Sequence, residues 1–454
     1  MKQKYDIVII GAGPGGYHTA IHAAKSGKKT AIIEKGQFGG TCLNFGCMPT
    51  KIMLDGAAGV LDTPAYLNSS LDISELFRQR DKAVQQLSAG VEMLLKSRKV
   101  DIYIGEGRFV NDSLVSVDCG DGIEQLIEFE YAVIASGSSA KELSVLEKCK
   151  NHIINSDAAT NMHEVPKSVC IIGGGVIGVE FSYIYTALGC KVYIVEALER
   201  ILIHEDPLVS EYISSELMEK GIEIITNASI DAVEDAGEQV ELQIAGKTVK
   251  AEKILCATGR QPDCRNLNLE SLGMDMIGEH GEIKTDEFFE TACSNIFAIG
   301  DVNGKLMLAH AASSQGMVVL EKIINHKKVK WDPNIVPKCV YIEPEIASVG
   351  LSETEAAVNY NNCKSALYPM EVNGKAIALG KTKGFIKVIT DENDVVLGVT
   401  IVGEKATELI TIATEAIKNK MTVDQIKSTV YPHPAFAEAL QEAILKVNDM
   451  AVHF

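Results

Sequence analysis

The feature that most restricts the fold of this 454-residue chain is a repeated unit: an apolar strand, a glycine-rich turn, a helix and a second strand closing on a glutamate. In the first copy, residues 5–10 lead into Gly11-Ala12-Gly13-Pro14-Gly15-Gly16, a helical pattern covers 17–26, and a strand over 29–33 ends at Glu34. In the second, residues 168–172 lead into Gly173-Gly174-Gly175-Val176-Ile177-Gly178, a helix covers 179–188, and a strand over 191–195 ends at Glu196. Each glutamate follows the middle glycine by 21 residues. That spacing suits a dinucleotide. The first glycine allows the tight turn, the second lets a pyrophosphate approach the helix N-terminus, and the third lets the helix pack closely. The acid can accept hydrogen bonds from a ribose diol. A lone glycine triplet is a weak signal, but strand, helix and acidic strand end together make it strong. Each copy is also followed by a late apolar strand ending in a glycine turn, Ala135-Ser136-Gly137 after the first and Ala257-Thr258-Gly259 after the second. The expected fold is α/β, with two Rossmann-like units and two dinucleotide sites. Glu196 would repel a 2′-phosphate, which favours NAD over NADP at the second site, although Arg200 lies close in sequence.

Residues 39–51 read Gly-Gly-Thr-Cys-Leu-Asn-Phe-Gly-Cys-Met-Pro-Thr-Lys, placing Cys42 and Cys47 five positions apart before what reads as a helix opening. The four intervening residues can close as the first turn and a half of a helix and bring the sulfurs within disulfide reach. A helix N-terminus would lower the thiol pKa. Two buried apolar cysteines, or half of a metal site, fit the same spacing. The second ligand pair that a metal site needs is absent from the sequence, and no metal is expected. The other cysteines are dispersed and the total of 11 is odd. This usage suits a reducing cytoplasm, where a disulfide is catalytic rather than structural.

Residues 52–100 read as largely helical, with an apolar seam over 71–95. Residues 221–253 read as strand and hairpin material, 295–301 as a buried strand ending at Asp301, and 308–312 as the start of a long helix. Beyond 333 the pattern becomes α+β: strands over 385–390 and 395–402 flank a turn, and helices follow at 405–419 and 435–447. This third unit holds Tyr431-Pro432-His433-Pro434-Ala435-Phe436-Ala437-Glu438, in which a helix starting at Pro434 would let Glu438 orient the His433 imidazole. Taken alone, these residues read more readily as a capping histidine beside a surface glutamate. Lys+Arg 43 against Asp+Glu 61 gives a formal net charge of −18, which argues against nucleic acid as a partner. No apolar run reaches the ~18 residues of a membrane span.

With these motifs in view, the chain resembles the two-cysteine, FAD-dependent pyridine nucleotide-disulfide oxidoreductases, and among them most closely the dihydrolipoamide dehydrogenases. The resemblance extends over essentially the whole chain. It rests on both glycine fingerprints, the second ending in Glu180, on the cysteine stretch, on Ala-Thr-Gly-Arg-x-Pro at 257–262, on Gly300-Asp301 and on His-Pro-x-x-x-Glu at 433–438. It implies a FAD-binding unit of residues 1–143 and 265–333, an NAD-binding unit of 144–264 and a C-terminal dimerisation unit of 334–454. FAD would be held by Gly11, Gly13, Gly16, Glu34, Lys35, Gly40, Thr41 and Lys51, by Gly107, Ala135, Ser136 and Gly137, and by Asp301, Leu308, Ala309, His310 and Ala311. NAD would be held by Gly173, Gly175, Val176, Ile177, Gly178, Glu196, Ala257 and Gly259. Cys47 would lie against the flavin as the thiolate and Cys42 would exchange with substrate. Lys51 and Glu180 would form an ion pair, and His433 with Glu438 would act as acid and base from the partner subunit of a homodimer. The substrate would be a lipoylated carrier protein. The alternatives are a reductase of glutathione-like disulfides or mercuric ion, and a flavoprotein with a structural role in a larger complex. Tyr431, where these enzymes commonly carry histidine, and 138–155, which lacks the usual proline-rich linker, depart from the pattern.

Overall fold

A computed structural model describes residues 3–62, 72–120 and 122–453. Leu71, at the start of the seam read over 71–95, lies outside the described residues, as do Met1, Lys2 and Phe454.

The first unit is built on β1 (Gln3–Ile10), α1 (Pro14–Lys25) and β2 (Thr30–Glu34). Then come α2 (Gly40–Asn44), α3 (Cys47–Leu61) and α4 (Ile73–Ser97), capped by the Asp72 carboxylate on the Glu75 N–H. Strands β3 (Asp101–Ile104), β4 (Glu106–Asn111), β5 (Leu114–Asp118) and β6 (Glu124–Ile134) complete a sheet of order β3-β2-β1-β6-β5-β4. The pairs β3-β2, β2-β1 and β1-β6 are parallel, whereas β5 meets the first half of β6 antiparallel. Parallel strands are covered on both faces, which is why β1 and β2 read as unbroken apolar runs.

The second unit repeats this plan. It is entered through a short linking strand, β7 (Ser138–Ala140), and its elements are β8 (Ile153–Asn155), α5 (Ser156–Thr160), β9 (Ser168–Ile172), α6 (Val176–Ala187), β10 (Lys191–Val195), α7 (Pro207–Glu219) and β11 (Glu223–Ile225). An antiparallel meander of β12 (Ile230–Asp235), β13 (Val240–Ile244) and β14 (Lys247–Ala251) precedes β15 (Lys253–Cys256). The parallel order is β11-β10-β9-β15-β8. β16 (Arg260–Pro262) pairs antiparallel with β7 in a two-stranded ribbon. The chain then returns to the first sheet, where β17 (Ile296–Ala298) lies parallel to the end of β6, and α8 (Ala309–Asn325) packs on α1.

The last unit is an antiparallel sheet of β18 (Lys338–Val340), β19 (Ile346–Gly350), β20 (Lys364–Pro369), β21 (Phe385–Thr390) and β22 (Val396–Val402), in the order β18-β19-β22-β21-β20. Helices α9 (Glu353–Asn359), α10 (Gly374–Leu379), α11 (Ala406–Lys418), α12 (Val423–Lys427) and α13 (Ala437–Lys446) accompany it. Tyr368, Ile386, Ile401, Ile410 and Leu440 lie in its core. The expected fold class, two Rossmann-like units and a C-terminal α+β unit, is the one observed.

Three local expectations need correction. Cys42 and Cys47 do not share one helix: α2 ends at Asn44, and Gly46, with φ −141° and ψ −106°, breaks the path before α3 begins at Cys47. A Cβ at Gly46 would sit 3.1 Å from the Thr41 carbonyl oxygen, so the fold-back is tight. Both fingerprint helices start three residues earlier than read, because Gly13 and Gly175 are themselves the extended N-cap residues. The last helix starts at Ala437 rather than Pro434, with Phe436 as its N-cap residue and the Glu438 carboxylate reaching back to the Ala435 N–H.

Candidate active site

A continuous cleft of about 1740 Å³ runs between the two glycine turns and past both cysteines. Small-molecule pockets usually measure ~300–1,000 Å³, so this space suits more than one extended ligand. At the first turn it is lined by Gly11, Gly13, Glu34, Lys35, Gly40, Thr41, Gly107, Ala135, Ser136, Gly137, Asp301, Leu308, Ala309 and His310. At the second turn it is lined by Gly173, Gly175, Val176, Ile177, Glu196, Ala257 and Gly259, and between them stand Cys42, Cys47, Lys51 and Glu180. Gly16, Gly178, Ala311, His433 and Glu438 are not among the lining residues.

The glycines divide by what surrounds them. A Cβ at Gly13 or Gly175 would meet nothing within 4 Å, whereas one at Gly16 or Gly178 would lie 1.9 Å from the carbonyl oxygen of Gly11 or Gly173. The middle glycine of each turn thus faces open cleft, and the last is packed against the chain. Ala311 is fully buried behind the wall.

Both strand-end acids fasten the turn before them. Glu34 Oε2 accepts the Ala12 N–H at 2.6 Å and Oε1 the Gly36 N–H at 2.7 Å. Glu196 Oε2 accepts the Gly174 N–H at 2.6 Å and Oε1 the Leu198 N–H at 2.8 Å. An ionised carboxylate has about four lone-pair sites, so each retains capacity for a diol. Arg200 donates to the carbonyls of Leu202, Ile203 and Glu205 and to Ser210 Oγ, so its guanidinium is already bound within the chain. Two buried hydroxyls at matching positions in the twin turns, Ser136 Oγ and Thr258 Oγ1, have no partner among the described residues and belong to cleft-lining residues. Open middle glycines, unpartnered hydroxyls and acids with spare acceptor capacity are what a dinucleotide would use in each half, so the residues present fit FAD and NAD. Asp301 Oδ2 accepts the Ser138 hydroxyl at 2.5 Å, and Ser138 Oγ in turn accepts Arg260 Nε at 2.7 Å. Burial pushes the Asp301 carboxyl up, with Ser138 and Arg260 acting against it. Lys35 pairs with Asp263 at 3.9 Å, and His310 Nε2 lies 2.8 Å from the Pro337 carbonyl.

Cys42 and Cys47 are free, partly buried thiols in hydrogen-bond contact. Cys42 keeps its proton, raised above the ordinary thiol range by donating to the Cys47 sulfur and then by burial. Cys47 is lowered to about 7, first by that hydrogen bond and then by the Lys51 ammonium, against burial and the Glu180 charge. It also opens α3, where the helix N-terminus favours a thiolate. Lys51 Nζ donates to both carboxylate oxygens of buried Glu180, at 3.0 and 2.9 Å.

His433 Nδ1 sits 2.9 Å from Glu438 Oε1, and Glu438 Oε2 accepts the Ala435 N–H at 2.7 Å. The expected orientation by the carboxylate is present, but the imidazole is 81% exposed and outside the cleft of its own chain.

The model for the pyridine nucleotide-disulphide oxidoreductases matches residues 5–316, and the model for that family's dimerisation domain matches 336–444. The chain belongs to this family. The oxidoreductase is 38% identical to a dihydrolipoyl dehydrogenase of Bacillus subtilis (strain 168), with all of both chains covered. It is 38% identical to another from Geobacillus stearothermophilus, over 96% of this chain and 95% of that one. Among solved structures, the HOCl-induced flavoprotein disulfide reductase RclA of Escherichia coli, as its Cu(II) complex, superposes with a TM-score of 0.90 at 27% identity, covering 98% of this chain and 100% of that one. The oxidoreductase carries the family's dimerisation domain, and among the described residues no helix is long and apolar enough to cross a membrane. Sequence reasoning placed Ser136 at the FAD site but did not find Tyr341, Ser138 or the Thr258 hydroxyl. Ser136 and Thr258 could have been paired by their equal places in the twin glycine turns, whereas Tyr341 comes from a distant unit and left no local signal.

Proposed function

We propose that this oxidoreductase oxidises dihydrolipoamide carried on a lipoylated protein and reduces NAD, acting as an FAD-dependent dihydrolipoyl dehydrogenase. The observation that carries the substrate assignment is full-length likeness to dihydrolipoyl dehydrogenases at 34–38% identity. The Glu196 carboxylate, fixed on Gly174 and Leu198 while Arg200 is bound elsewhere, supports NAD over NADP.

In this reading Gly11, Gly13, Glu34, Lys35, Gly40, Thr41, Gly107, residues 135–137, Asp301 and residues 308–310 hold FAD. Gly173, Gly175, Val176, Ile177, Glu196, Ala257 and Gly259 hold NAD, and Gly16, Gly178 and Ala311 act by packing. FAD, when bound, supplies the two-electron acceptor between sulfur and nicotinamide. His433 of a second copy, oriented by Glu438, takes the proton from one thiol of dihydrolipoamide, and the resulting thiolate attacks Cys42 Sγ of the oxidised pair. Cys47 leaves as thiolate beside Lys51. The second thiol of the substrate then attacks the mixed disulfide, closing lipoamide and returning Cys42 as a thiol. Attack depends on which sulfur can be reached and which can leave, and the low pKa of Cys47 makes it the better leaving group.

The same reading divides the chain into residues 1–143 with 265–333, 144–264 and 334–454. The β7-β16 ribbon supports this, since it runs where the chain leaves and re-enters the first unit. It also implies a homodimer, supported by the dimerisation-domain match and the exposed imidazole, and a cytoplasmic location, the reading drawn from the dispersed cysteines. Anaerobic turnover with dihydrolipoamide and NAD should far exceed turnover with oxidised glutathione and NADPH. Preference for the second pair overturns the substrate assignment.

A further inference from the structure

The Lys51–Glu180 pair is held by a third residue from the C-terminal unit. Tyr341 follows β18 and lines the cleft. Its backbone N–H donates at 3.0 Å to Glu180 Oε1, the same oxygen that receives Lys51 Nζ. Its ring faces the Lys51 ammonium, with Nζ 4.3 Å from the centroid. Lys51 lies four residues after Cys47 on α3, so the two side chains are neighbours on one helix face.

We infer that Tyr341 is a positioning residue for the redox pair: its ring fixes the Lys51 ammonium on the face of α3 that carries Cys47, and so keeps the Cys47 sulfur ionised once the pair is reduced. The inference rests on reading Cys42 and Cys47 as the reaction's disulfide. The groups acting on that sulfur come from several elements. Cys42 stands on α2, Lys51 on α3 and Glu180 on α6, and Tyr341, which follows β18, faces the same sulfur; Cys339 and Glu345 act on Tyr341, and Glu205, itself near Lys338, acts on Cys339. Among the groups acting on Cys47, Lys51 is the one cation. If its ammonium swings away, Glu180 remains as an uncompensated negative charge that opposes the thiolate. Glu180 alone restrains Lys51 as a point charge on a four-carbon stem, which leaves the stem free to turn. A ring on a second side removes that freedom, and the attraction between ammonium and aromatic face favours the held position. The backbone N–H on Glu180 fixes the carboxylate independently of the side chain at 341. A test can therefore separate ring from hydrogen bond.

The test uses the holoenzyme, reduced anaerobically with dithiothreitol, freed of reductant and alkylated by iodoacetamide across about pH 5 to 9, a range spanning the ordinary cysteine pKa. Alkylation of the Cys47 peptide is followed by mass spectrometry. The wild-type midpoint is expected below the ordinary cysteine range, and Tyr341→Phe, which keeps the ring, should match it. Tyr341→Leu should move the midpoint up and lower alkylation at neutral pH by about two- to five-fold, the factor expected for a partly exposed cation–π contact. In a Lys51→Met background, Tyr341→Leu should add nothing, since the ring would have no ammonium to hold. A Tyr341→Leu midpoint equal to wild type, or a shift that persists without Lys51, overturns the inference. So does a Tyr341→Phe variant shifted as far as the leucine variant, a comparison that stands even if the leucine variant folds poorly. A wild-type protein whose Cys47 titrates as an ordinary thiol overturns the redox reading itself, a result distinct from a normal wild type with an indifferent Tyr341.

Discussion

Cys42 and Cys47 are the same residue type five positions apart, and their surroundings make them different reagents. The first holds its proton and donates it, while the second opens a helix, receives that hydrogen bond and faces an ammonium. Cys42→Ser should therefore leave a thiolate at Cys47 and the long-wavelength flavin absorbance that such a thiolate produces, while turnover falls by on the order of 10³-fold or more. Cys47→Ser should lose both. Absorbance spectra of the two holoenzymes beside a turnover assay check this, and the reverse pattern would exchange the two roles. The sequence could show the pair and the helix that follows. It could not show that Gly46 breaks the path between them, because a glycine there is equally compatible with one continuous turn. Nor could it show that Glu34 and Glu196 are fastened to the N–H groups of Ala12 and Gly174. An acid at a strand end reads as a ribose ligand, and its second task of bracing the turn appears only when loop and strand are seen together.

At the scale of the elements, the parallel strands were the most legible part of the chain. Ser168–Ile172 and Lys191–Val195 fall where the apolar runs put them, because behind a single polar first residue each strand is apolar and buried to its end. The strands over 101–118 went unread, since they are short and their exposed residues dilute the pattern. The helix starts were misplaced where the capping residue was a glycine inside the fingerprint, which carries no side chain to announce a cap. Those glycines support a second comparison. Gly13 has φ −68° and ψ −179°, a backbone any residue can adopt, with open space where a Cβ would go. Gly13→Ala should fold with an unchanged melting temperature as apoprotein, yet purify with little flavin, because the added methyl occupies the space left for a pyrophosphate. Gly16→Ala forces a Cβ into the Gly11 carbonyl and should lower stability by roughly 1–3 kcal/mol or more as overpacking does, flavin or not. Thermal melts of the apoproteins and flavin content of the purified enzymes separate the two. Equal melting temperatures for the pair would mean that the first turn yields more readily than its geometry indicates.

The whole molecule poses the question that one chain leaves open. His433 and Glu438 are paired as acid–base chemistry requires, but the imidazole stands 81% exposed and does not line the cleft holding its own chain's sulfurs. The unit that bears it matches the family's dimerisation domain. If two copies meet with two-fold symmetry, each can offer its histidine to the other's pair, and the two sites are completed reciprocally. Hybrid dimers test this directly. A Cys42→Ser chain keeps its histidine and a His433→Gln chain keeps its cysteines, so each homodimer is inactive at both sites. A hybrid of the two contains one site with both Cys42 and a partner's His433, and one site with neither. After dissociation and random reassociation of equal amounts, half the dimers are hybrids with one intact site each, so about a quarter of wild-type turnover should return. Separately tagged chains, purified as hybrids, should show about half. Were each histidine to serve its own chain, every site in every dimer would lack one group, and mixing would restore nothing. The same experiment bears on the departure at Tyr431: it packs against the C-terminal core just before His433, so the recovered activity also reports whether tyrosine there leaves the reciprocal site competent.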